Sequence, residues 1–494
     1  MKNIILKSVI GLACVAGMSS CGNSWLETKY YGGVEADGAL TSPTVIEYAL
    51  NGVYYQLERY YFAGNYSTTL GDIASDIVYW QGNNNHQNDL YQFTYQDTSN
   101  TLYYVWNYGY KVVDNAARVI EACEALMPEA TADDQEYLMI MEAEARCLRA
   151  YANLTMVNIF AKQAMVAGSS NLNTPGLVLV ETPVEAFSQV ERATVGQTYD
   201  FIFKDLQEAV SLFNSLGYDR GDVNFMNLAA AYALEARAYT YLENWSAAAS
   251  AAQNAIEISG INELAYTTEE YNALYKGGDS NWESFFTLGI NSLDNWSANS
   301  CGTLFTTYGY SITPYLVSLL NEDDCRYYLY TAFDEAAGGA WSENNTYYGA
   351  KFYFGFGNTA YATNYIINAP EMFLIQAEAY AQQGQVAQAQ DALYVVAHRN
   401  PAIASPADLP STKDGIMSFL YEERARELFQ EGLRMYDLRR WNITCNLYAV
   451  HAPEVEWMIK NVQIGNLVLP IPQDEINTKF GVTQNEGWDA SKPR

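Results

Sequence analysis

Residues 421–441, YEERARELFQEGLRMYDLRRW, carry an apolar pattern and a charged pattern in the same stretch. At about 100° per residue, the two patterns fall on opposite sides of a helix. The apolar side holds Tyr421, Ala425, Leu428, Gly432 and Tyr436, and the other side holds Glu423, Arg424, Glu427, Glu431, Arg434, Asp437 and Trp441. The acids and bases are three and four residues apart, where opposite charges can pair. The stretch therefore predicts one continuous helix that packs on both of its sides.

Gly432 stands in the middle of this predicted helix. Glycine there costs about 1 kcal/mol relative to alanine, so its use predicts that another backbone passes too close for a side chain. We interpret the alternating acids and bases as a structural ion network rather than as catalytic groups. Glu431 and Arg434 are accordingly expected to act in packing and to have no contact with a ligand.

The composition is that of a globular chain with an acidic surface. The 494 residues are 49% hydrophobic, enough for a large core in one domain or in several smaller ones. The 57 acids outnumber the 27 bases, so nucleic acid and strongly anionic polysaccharides are disfavoured as partners and a neutral ligand is expected. The 41 Tyr, 19 Phe and 10 Trp supply rings that suit sugar faces, peptides and protein interfaces.

Residues 1–20 have the features of a lipoprotein signal peptide. Lys2 and Lys7 form a basic start, an apolar run too short to span a bilayer follows, and small residues lead to Cys21. Residues 18–21, Met-Ser-Ser-Cys, are similar to a lipobox, so we expect Cys21 to carry the lipid anchor, palmitate included. An ordinary secretory signal with an incidental cysteine is the alternative. No later stretch reaches the roughly 18 apolar residues of a membrane helix.

Of the seven cysteines of the chain, the five that remain apart from Cys14 and Cys21 show no CxxC motif and no zinc spacing. Cys123 and Cys147 lie in helical patterns and are most simply buried thiols. Cys301 and Cys325 could form a disulfide.

Pairs of amphipathic segments predict antiparallel helical hairpins. They are Leu102–Leu126 with Asp133–Phe160, Leu228–Glu243 with Ser246–Ser259, and a pair within Ala369–Arg399 that turns at Gly384. Thr194 and Gln197 make a capping box for a further helix. Small residues recur where paired helices must approach, as in tetratricopeptide repeats. The predicted fold class is mostly α, with a tetratricopeptide-like helical-repeat scaffold.

Two segments without helical period interrupt this scaffold. Residues 65–100 mix aromatics with a run of amides and are predicted to form a long projecting loop. Residues 282–367 are predicted to form irregular loops and short strands. We therefore divide the chain into the signal 1–20, an N-terminal helical region 21–270 and a C-terminal region 271–494.

The spacing of Glu-Arg, Glu-Leu, Glu-Gly, Arg, Asp-Leu and Arg-Trp in residues 421–441 resembles the C-terminal signature of the SusD/RagB family of outer-membrane nutrient-binding lipoproteins. Further similarities follow in chain order: the lipobox, NWESFFTLG at Asn281–Gly289, the AEA helix at Ala377–Ala379, LVLPIPQDEI at Leu467–Ile476, and Gln484-Asn485. One residue departs from the pattern, since Asn368 stands where the family often has Arg.

The resemblance implies a helical scaffold that caps a SusC-type TonB-dependent barrel at the surface of the cell outer membrane. It also implies that the chain delivers a captured oligomer to this barrel. Many members of the family bind glycans, whereas RagB-like members are implicated in peptide import. The expected ligand is therefore a neutral oligosaccharide, with an oligopeptide as the alternative.

The candidate ligand-binding residues are aromatics and amides of the two insertions. Such binding requires a flat ring against a sugar face or a peptide backbone, flanked by fixed polar groups. The candidates are Trp80, Asn83, Asn84, Asn85 and Asn88 in the first insertion, and Trp296, Tyr308, Trp341 and Tyr347 in the second. We expect the two insertions to converge on one face, although packing in the core or on the barrel competes for each ring. Trp106, Trp245 and Trp282 are expected in the core.

Motifs for catalysis and metal binding are missing from the sequence. There is no HExxH, GxSxG, Walker or EF-hand pattern, and His86, His398 and His451 lie far apart in the chain. We therefore expect no enzyme activity, no metal and no cofactor. A surface hydrolase built on two carboxylates is the remote alternative, because such a pair leaves no sequence motif.

Overall fold

The structure is a computed structural model that describes residues 39–80, 84–277, 280–331, 351–352, 358–448, 457–465 and 467–488. The helices are α1 Pro43–Glu58, α2 Tyr66–Ile73, α3 Asn88–Tyr91, α4 Asn100–Leu126, α5 Ala132–Phe160, α6 Val195–Leu216, α7 Leu228–Tyr241, α8 Trp245–Ser259, α9 Thr268–Leu274, α10 Cys301–Thr306, α11 Pro314–Ser318, α12 Tyr327–Thr331, α13 Ala369–Gln382, α14 Val386–Ala397, α15 Lys413–Glu427, α16 Arg434–Trp441 and α17 Gln473–Thr478. The strands are β1 Val78–Trp80, β2 Met165–Val166, β3 Ser169–Ser170, β4 Ser284–Leu288, β5 Tyr310–Ile312, β6 Asn364–Asn368, β7 Thr444–Tyr448 and β8 Trp457–Gln463. They form two-stranded antiparallel sheets, β1–β5, β2–β3, β4–β6 and β7–β8. The predicted mostly α class is confirmed.

The predicted helical hairpins are also confirmed. α4 packs along α5, α7 along α8, and α13 along α14, while α13 also packs on α8. Thr194 and Gln197 form the predicted capping box at the start of α6. Gly384 lies between α13 and α14 with a φ of +76°, a conformation that glycine adopts without the steric cost of a Cβ. The tetratricopeptide-like arrangement therefore follows from local sequence patterns.

The prediction of one continuous helix over residues 421–441 is wrong. α15 ends at Glu427 and α16 begins at Arg434, and Gly432 in the turn between them has a φ of +73°. A Cβ at Gly432 would lie 1.7 Å from the carbonyl oxygen of Thr68. The predicted close approach of another backbone is therefore confirmed, and the same glycine breaks the helix.

Asp72 on α2 holds this turn. Its carboxylate accepts hydrogen bonds from the backbone N–H of Gln430 at 2.7 Å and of Arg434 at 3.4 Å. Burial raises the pKa of Asp72 to about 7, although backbone N–H groups of the turn act in the opposite direction. α2 is thus fixed to the start of α16.

The charged side of residues 421–441 is buried in an ion network, as predicted. Arg326 donates to Asp324 and Glu423, each at 2.7 Å, and to Glu427 at 3.0 Å. Arg399 also pairs with Glu427, at 2.9 Å. Burial opposes ionisation of Glu423, but the charges and hydrogen bonds of Arg326 and Arg426 together outweigh it and lower the pKa of Glu423 to about 2. These charges are compensated inside the core rather than left to solvent.

Glu431 and Arg434 act in packing. Glu431 pairs with Lys351 at 2.5 Å, and Arg434 binds both carboxylate oxygens of Asp76 at 2.8 and 3.0 Å. Glu431 and Arg434 are both buried. Their predicted lack of contact with a ligand stays a prediction.

The prediction of a projecting loop over residues 65–100 is wrong for much of its length. The segment contains α2, β1 and α3, and every residue from Ser67 to Ile73 is buried. The sequence YSTTLGDI hides this helix because Thr68 and Thr69 bury their hydroxyls through hydrogen bonds to backbone carbonyls, Thr68 Oγ1 to that of Ala63 at 2.8 Å and Thr69 Oγ1 to that of Asn65 at 3.1 Å. Only Leu70 and Ile73 are apolar at positions that a helical stripe would use.

The two insertions meet through the β1–β5 sheet. Val78 pairs with Ile312, and Trp80 pairs with Tyr310. Short strands were predicted for residues 282–367, and β4, β5 and the start of β6 lie there, together with the short helices α10, α11 and α12. One sheet therefore joins segments that are far apart in the chain.

Cys301 and Cys325 are free thiols, so the prediction of a disulfide between them is wrong, whereas Cys123 and Cys147 are buried as predicted.

Trp106 is buried as predicted, but Trp282 is 46% exposed, so the prediction that Trp282 lies in the core is wrong. Trp282 lies in the turn that precedes β4, and its side chain is exposed although its neighbours at 281 and 283 are buried.

Candidate functional site

Side chains of the first insertion hold the second insertion in place. Asn84 Nδ2 donates to the carbonyl of Tyr308 at 2.8 Å, and Asn65 Nδ2 donates to the carbonyl of Asn299 at 2.7 Å. The ring of His86 stacks on Tyr308, with 3.7 Å between the ring centroids. Together with the β1–β5 sheet, these contacts bring the two insertions onto one face.

A cleft of about 450 Å³ lies where the two insertions meet, and we name it the amide cleft. Seven of its lining residues bear amides: Asn65, Asn85, Gln87, Asn88, Gln96, Asn100 and Asn299. Others bear hydroxyls: Tyr66, Thr94, Thr98, Ser99, Thr101 and Tyr308. His86 and Asp89 add an imidazole and a carboxylate, and no Lys or Arg lines the cleft within the part of the chain that the structure describes.

Part of this lining is a buried network. Gln87 Nε2 donates to Asn65 Oδ1 and to Thr69 Oγ1, both at 3.2 Å, and all three residues are buried. Gln87 has a φ of +54° and precedes the short helix α3. By contrast, Asn85 is exposed and Asn88 is partly exposed. The buried amides therefore set the shape of the cleft, and the exposed amides are accessible to a ligand.

The amide cleft carries little charge. The hydroxyl of Ser99 donates to Asp89 Oδ2 at 2.5 Å. Burial lowers the pKa of His86, so the neutral imidazole is favoured at pH 7. Burial, followed by neighbouring tyrosines, raises the pKa of Tyr66 to about 12, which keeps its hydroxyl neutral. The cleft thus offers neutral donors and acceptors around one carboxylate.

A cluster of partly exposed rings adjoins the cleft, and we name it the tyrosine wall. Its members are Tyr60, Tyr61, Tyr66, Tyr104, Tyr108 and Trp296. Tyr61 is central, with its ring centroid 4.1 Å from that of Tyr104 and 4.7 Å from that of Tyr108. Tyr104 and Tyr108 are four residues apart on α4, so they share one side of that helix. Several rings thereby form one platform.

The tyrosine wall and the amide cleft share Tyr66. Its ring lies 5.7 Å from that of Tyr60, and it also lines the cleft. At the other edge of the wall, Trp296 Nε1 donates to the carbonyl of Glu58 at 2.8 Å, and the guanidinium of Arg59 lies 4.5 Å from its ring centroid. Cleft and wall therefore form one continuous surface of rings and amides.

The structure separates the predicted site residues into groups. Asn85, Asn88 and Tyr308 line the amide cleft, and Trp296 belongs to the tyrosine wall. Asn84 is a positioning residue, because its amide is bonded to the carbonyl of Tyr308. Asn83, Trp341, Tyr347 and the lipidation candidate Cys21 lie outside the described residues.

The assignment of Trp80 to the ligand surface is wrong. Trp80 is only 4% exposed, and its ring lies 6.2 Å from that of Tyr310 and 6.1 Å from that of Tyr91. The residues of β1 are buried on both faces of the strand. Trp80 therefore packs in the core that joins the two insertions.

Sequence reasoning missed the tyrosines of the wall. Tyr60 and Tyr61 follow α1, Tyr66 opens α2, and Tyr104 and Tyr108 lie on α4. One weak signal is present in the sequence. The helix α4 is expected to bury one apolar stripe, and Tyr104 and Tyr108 stand four residues apart outside that stripe. The sequence gives no sign that these three places come together.

Two further properties bear on the kind of site. No helix in the described ranges is both long and apolar enough to cross a bilayer. Within the same ranges, no three His, Cys, Asp or Glu side chains lie together as a metal ion would require.

Two family models together match most of the chain. The model described as "Starch-binding associating with outer membrane" matches residues 24–240, and the model described as "SusD family" matches residues 246–488. No curated protein matches the chain. The boundary between the two matches falls after α7, at the turn that leads into α8.

Solved structures are similar to the chain over most of its length. A SusD superfamily protein of Bacteroides thetaiotaomicron has a TM-score of 0.79 at 22% identity, covering 90% of this chain and 100% of that one. A SusD superfamily protein of Bacteroides fragilis has a TM-score of 0.72 at 21% identity, with 90% and 100% covered. A SusD-like carbohydrate binding protein of Bacteroides vulgatus has a TM-score of 0.66 at 18% identity, with 82% and 84% covered. At these identities the likeness establishes the fold.

Proposed function

Because this chain belongs to the SusD/RagB family, we propose that it is a cell-surface lipoprotein that captures an oligomeric nutrient, with a neutral glycan as the favoured ligand. The observation that supports this most is the continuity of the tyrosine wall and the amide cleft through Tyr66. A chain of sugar units could lie along this surface and contact both parts at once.

The chemistry of the surface suits sugar units. The C–H face of a sugar ring packs against an aromatic ring, and Tyr61 and Tyr104 offer such a face. Sugar hydroxyls are both donors and acceptors, and the side-chain amides of Asn85 and Asn88 match both roles. The chain has a net charge of −30, and no described Lys or Arg lines the cleft. Both properties favour an uncharged ligand over an anionic one.

We propose that the captured glycan passes to a SusC-type TonB-dependent barrel in the outer membrane, and that the chain binds the glycan without turnover. Lipidation of Cys21 would keep the chain at this membrane. Cys21→Ala is expected to leave the protein soluble and unlabelled by palmitate. A variant that still partitions with the outer membrane and takes up palmitate would contradict this anchor.

The ligand site is tested with Trp296→Ala and Tyr61→Ala, titrated by calorimetry against neutral glycans and mixed oligopeptides. Loss of a ring from the wall is expected to weaken glycan binding by about 1–2 kcal/mol. Tyr48→Ala is the matched control, because Tyr48 is 67% exposed and lies outside the wall. A released-sugar assay on the purified protein checks that no hydrolysis occurs.

The same variants separate ligand binding from docking on the barrel. Co-purification with the barrel should be unchanged when glycan affinity falls. If the complex dissociates while glycan affinity stays at the wild-type value, the wall is a docking surface and the proposed ligand site is wrong. If oligopeptides bind and no glycan does, the RagB-like alternative replaces the glycan.

A further inference from the structure

The distribution of charge in the amide cleft distinguishes it from the rest of the chain. Among the residues that line it, Asp89 is the one acidic residue, and its carboxylate is held by the hydroxyl of Ser99 at 2.5 Å. No described Lys or Arg lines the cleft to offset this charge. His86 is the other titratable group besides the tyrosines, and it is favoured in its neutral form.

Three further segments of the two insertions contain no basic residue in the sequence. Segments 81–83, 332–350 and 353–357 belong to the two insertions but lie outside the described residues. They contain Asp334, Glu335 and Glu343, and they contain no Lys or Arg. Two cations contact the tyrosine wall: Arg59 lies over the ring of Trp296 and Lys111 over that of Tyr108. Neither of them lines the cleft.

We propose that Asp89 is a specificity-determining residue, which makes the amide cleft accept neutral or amino-bearing sugar units and reject units that carry a carboxylate or a sulfate. This inference rests on the proposed function, because it names the class of glycan that the same site selects. The physical reason is like-charge repulsion in a cleft where no Lys or Arg of the described residues supplies a counter-charge. An ammonium group on the ligand would be attracted by the same carboxylate.

Repulsion of this kind has a recognisable dependence on ionic strength. Charges that are partly exposed are screened over a Debye length of about 10 Å at 0.1 M salt. The preference for neutral units should therefore shrink as salt concentration rises. A preference that arises from shape alone would not change with salt.

The test uses pairs of probes of equal length: neutral gluco-, galacto- and manno-oligosaccharides, and their counterparts oxidised at C6 to uronates. Calorimetric titration at pH 7 gives the affinity ratio of neutral to oxidised probe. We expect a ratio of about tenfold or more for the wild type, a difference of about 1.4 kcal/mol. In Asp89→Asn the ratio should fall towards one, because the amide keeps the shape and the acceptor for Ser99 but removes the charge.

Asp133→Asn is the matched control, since it makes the same change of net charge elsewhere. Asp133 is exposed at the start of α5. It lies near the far end of α4, and at about 1.5 Å per residue that helix places it roughly 40 Å from Asn100 in the cleft. This variant should keep the wild-type ratio. A thermal melt of each variant checks that the fold is intact.

The outcomes separate the two proposals. If neutral probes bind but Asp89→Asn and the wild type give the same ratio, the inference on Asp89 is wrong and the proposed glycan binding stands. Equal binding of neutral and oxidised probes by the wild type also overturns the inference. If no probe of either kind binds, the proposed function and the inference both fall.

Discussion

The scaffold around α15 and α16 and the surface of the amide cleft use polar side chains in opposite ways. In the scaffold, Arg326, Arg399 and Glu427 are almost fully buried and are paired with opposite charges. In the cleft, amides and hydroxyls dominate, and Asp89 is the acidic lining residue. Buried charges are tolerated only when they are paired, whereas neutral amides can bond to protein or to ligand. The buried charges of this scaffold therefore serve the fold, whereas neutral groups around one carboxylate line the amide cleft.

Helix α2 connects the two regions. Thr68 and Asp72 contact the turn before α16, whereas Tyr66 lines the amide cleft and belongs to the tyrosine wall. Thr69 completes the contact through its hydrogen bond with Gln87. The position of the cleft is thus set by how α2 packs on the scaffold. Changes in the scaffold should alter stability, and changes on the ligand surface should alter binding.

The largest effect is expected for Arg326→Ala. The change leaves Asp324, Glu423 and Glu427 buried without this cation, and breaking a buried ion pair costs about 3–5 kcal/mol. Urea unfolding measures the free energy of unfolding. Arg118→Ala is the control, because Arg118 pairs with Asp114 at the surface, where the loss should stay below about 1 kcal/mol. Equal losses in the two variants would contradict the contrast between buried and exposed charge.

A smaller effect is expected for Gly432→Ala. An alanine in the left-handed conformation costs about 1–3 kcal/mol, and its Cβ would also meet the carbonyl of Thr68. Gly384→Ala has a similar φ, +76°, but open space around the added Cβ, so it reports the conformational cost alone. The melting temperature of Gly432→Ala should therefore be lower than that of Gly384→Ala. The reverse order would show that α2 does not press on this turn.

The smallest effect on stability is expected for Asn85→Ala. Asn85 is exposed in the amide cleft, and surface substitutions change the free energy of unfolding by about 0.5 kcal/mol or less. The affinity for a neutral glycan should nevertheless fall, by about 1 kcal/mol for one lost hydrogen bond. A loss of stability without a change in affinity would assign Asn85 to the scaffold.

The scaffold could be predicted from sequence where its signals are local. The pairs α4–α5, α7–α8 and α13–α14 follow from the helical period, and the capping box at Thr194 lies within four residues of sequence. The break before α16 could not be predicted in this way. Gly432 lies against Thr68, which comes from a distant part of the chain, and no local pattern specifies this contact.

The candidate site could be predicted only in part for the same reason. Composition points to Asn85, Asn88 and Tyr308, since amides and rings stand out in segments without helical period, and all three line the cleft. Trp80 has the same composition around it, but the β1–β5 sheet buries it. The tyrosine wall depends on contacts between three separate segments, which no local pattern specifies.

The most direct test of the account is a crystal structure of the chain with a neutral oligosaccharide that binds in the titrations. The account predicts sugar rings packed on Tyr61 and Trp296, with sugar hydroxyls within hydrogen-bonding distance of the amides of Asn85 and Asn88. A glycan bound away from both the tyrosine wall and the amide cleft would contradict it.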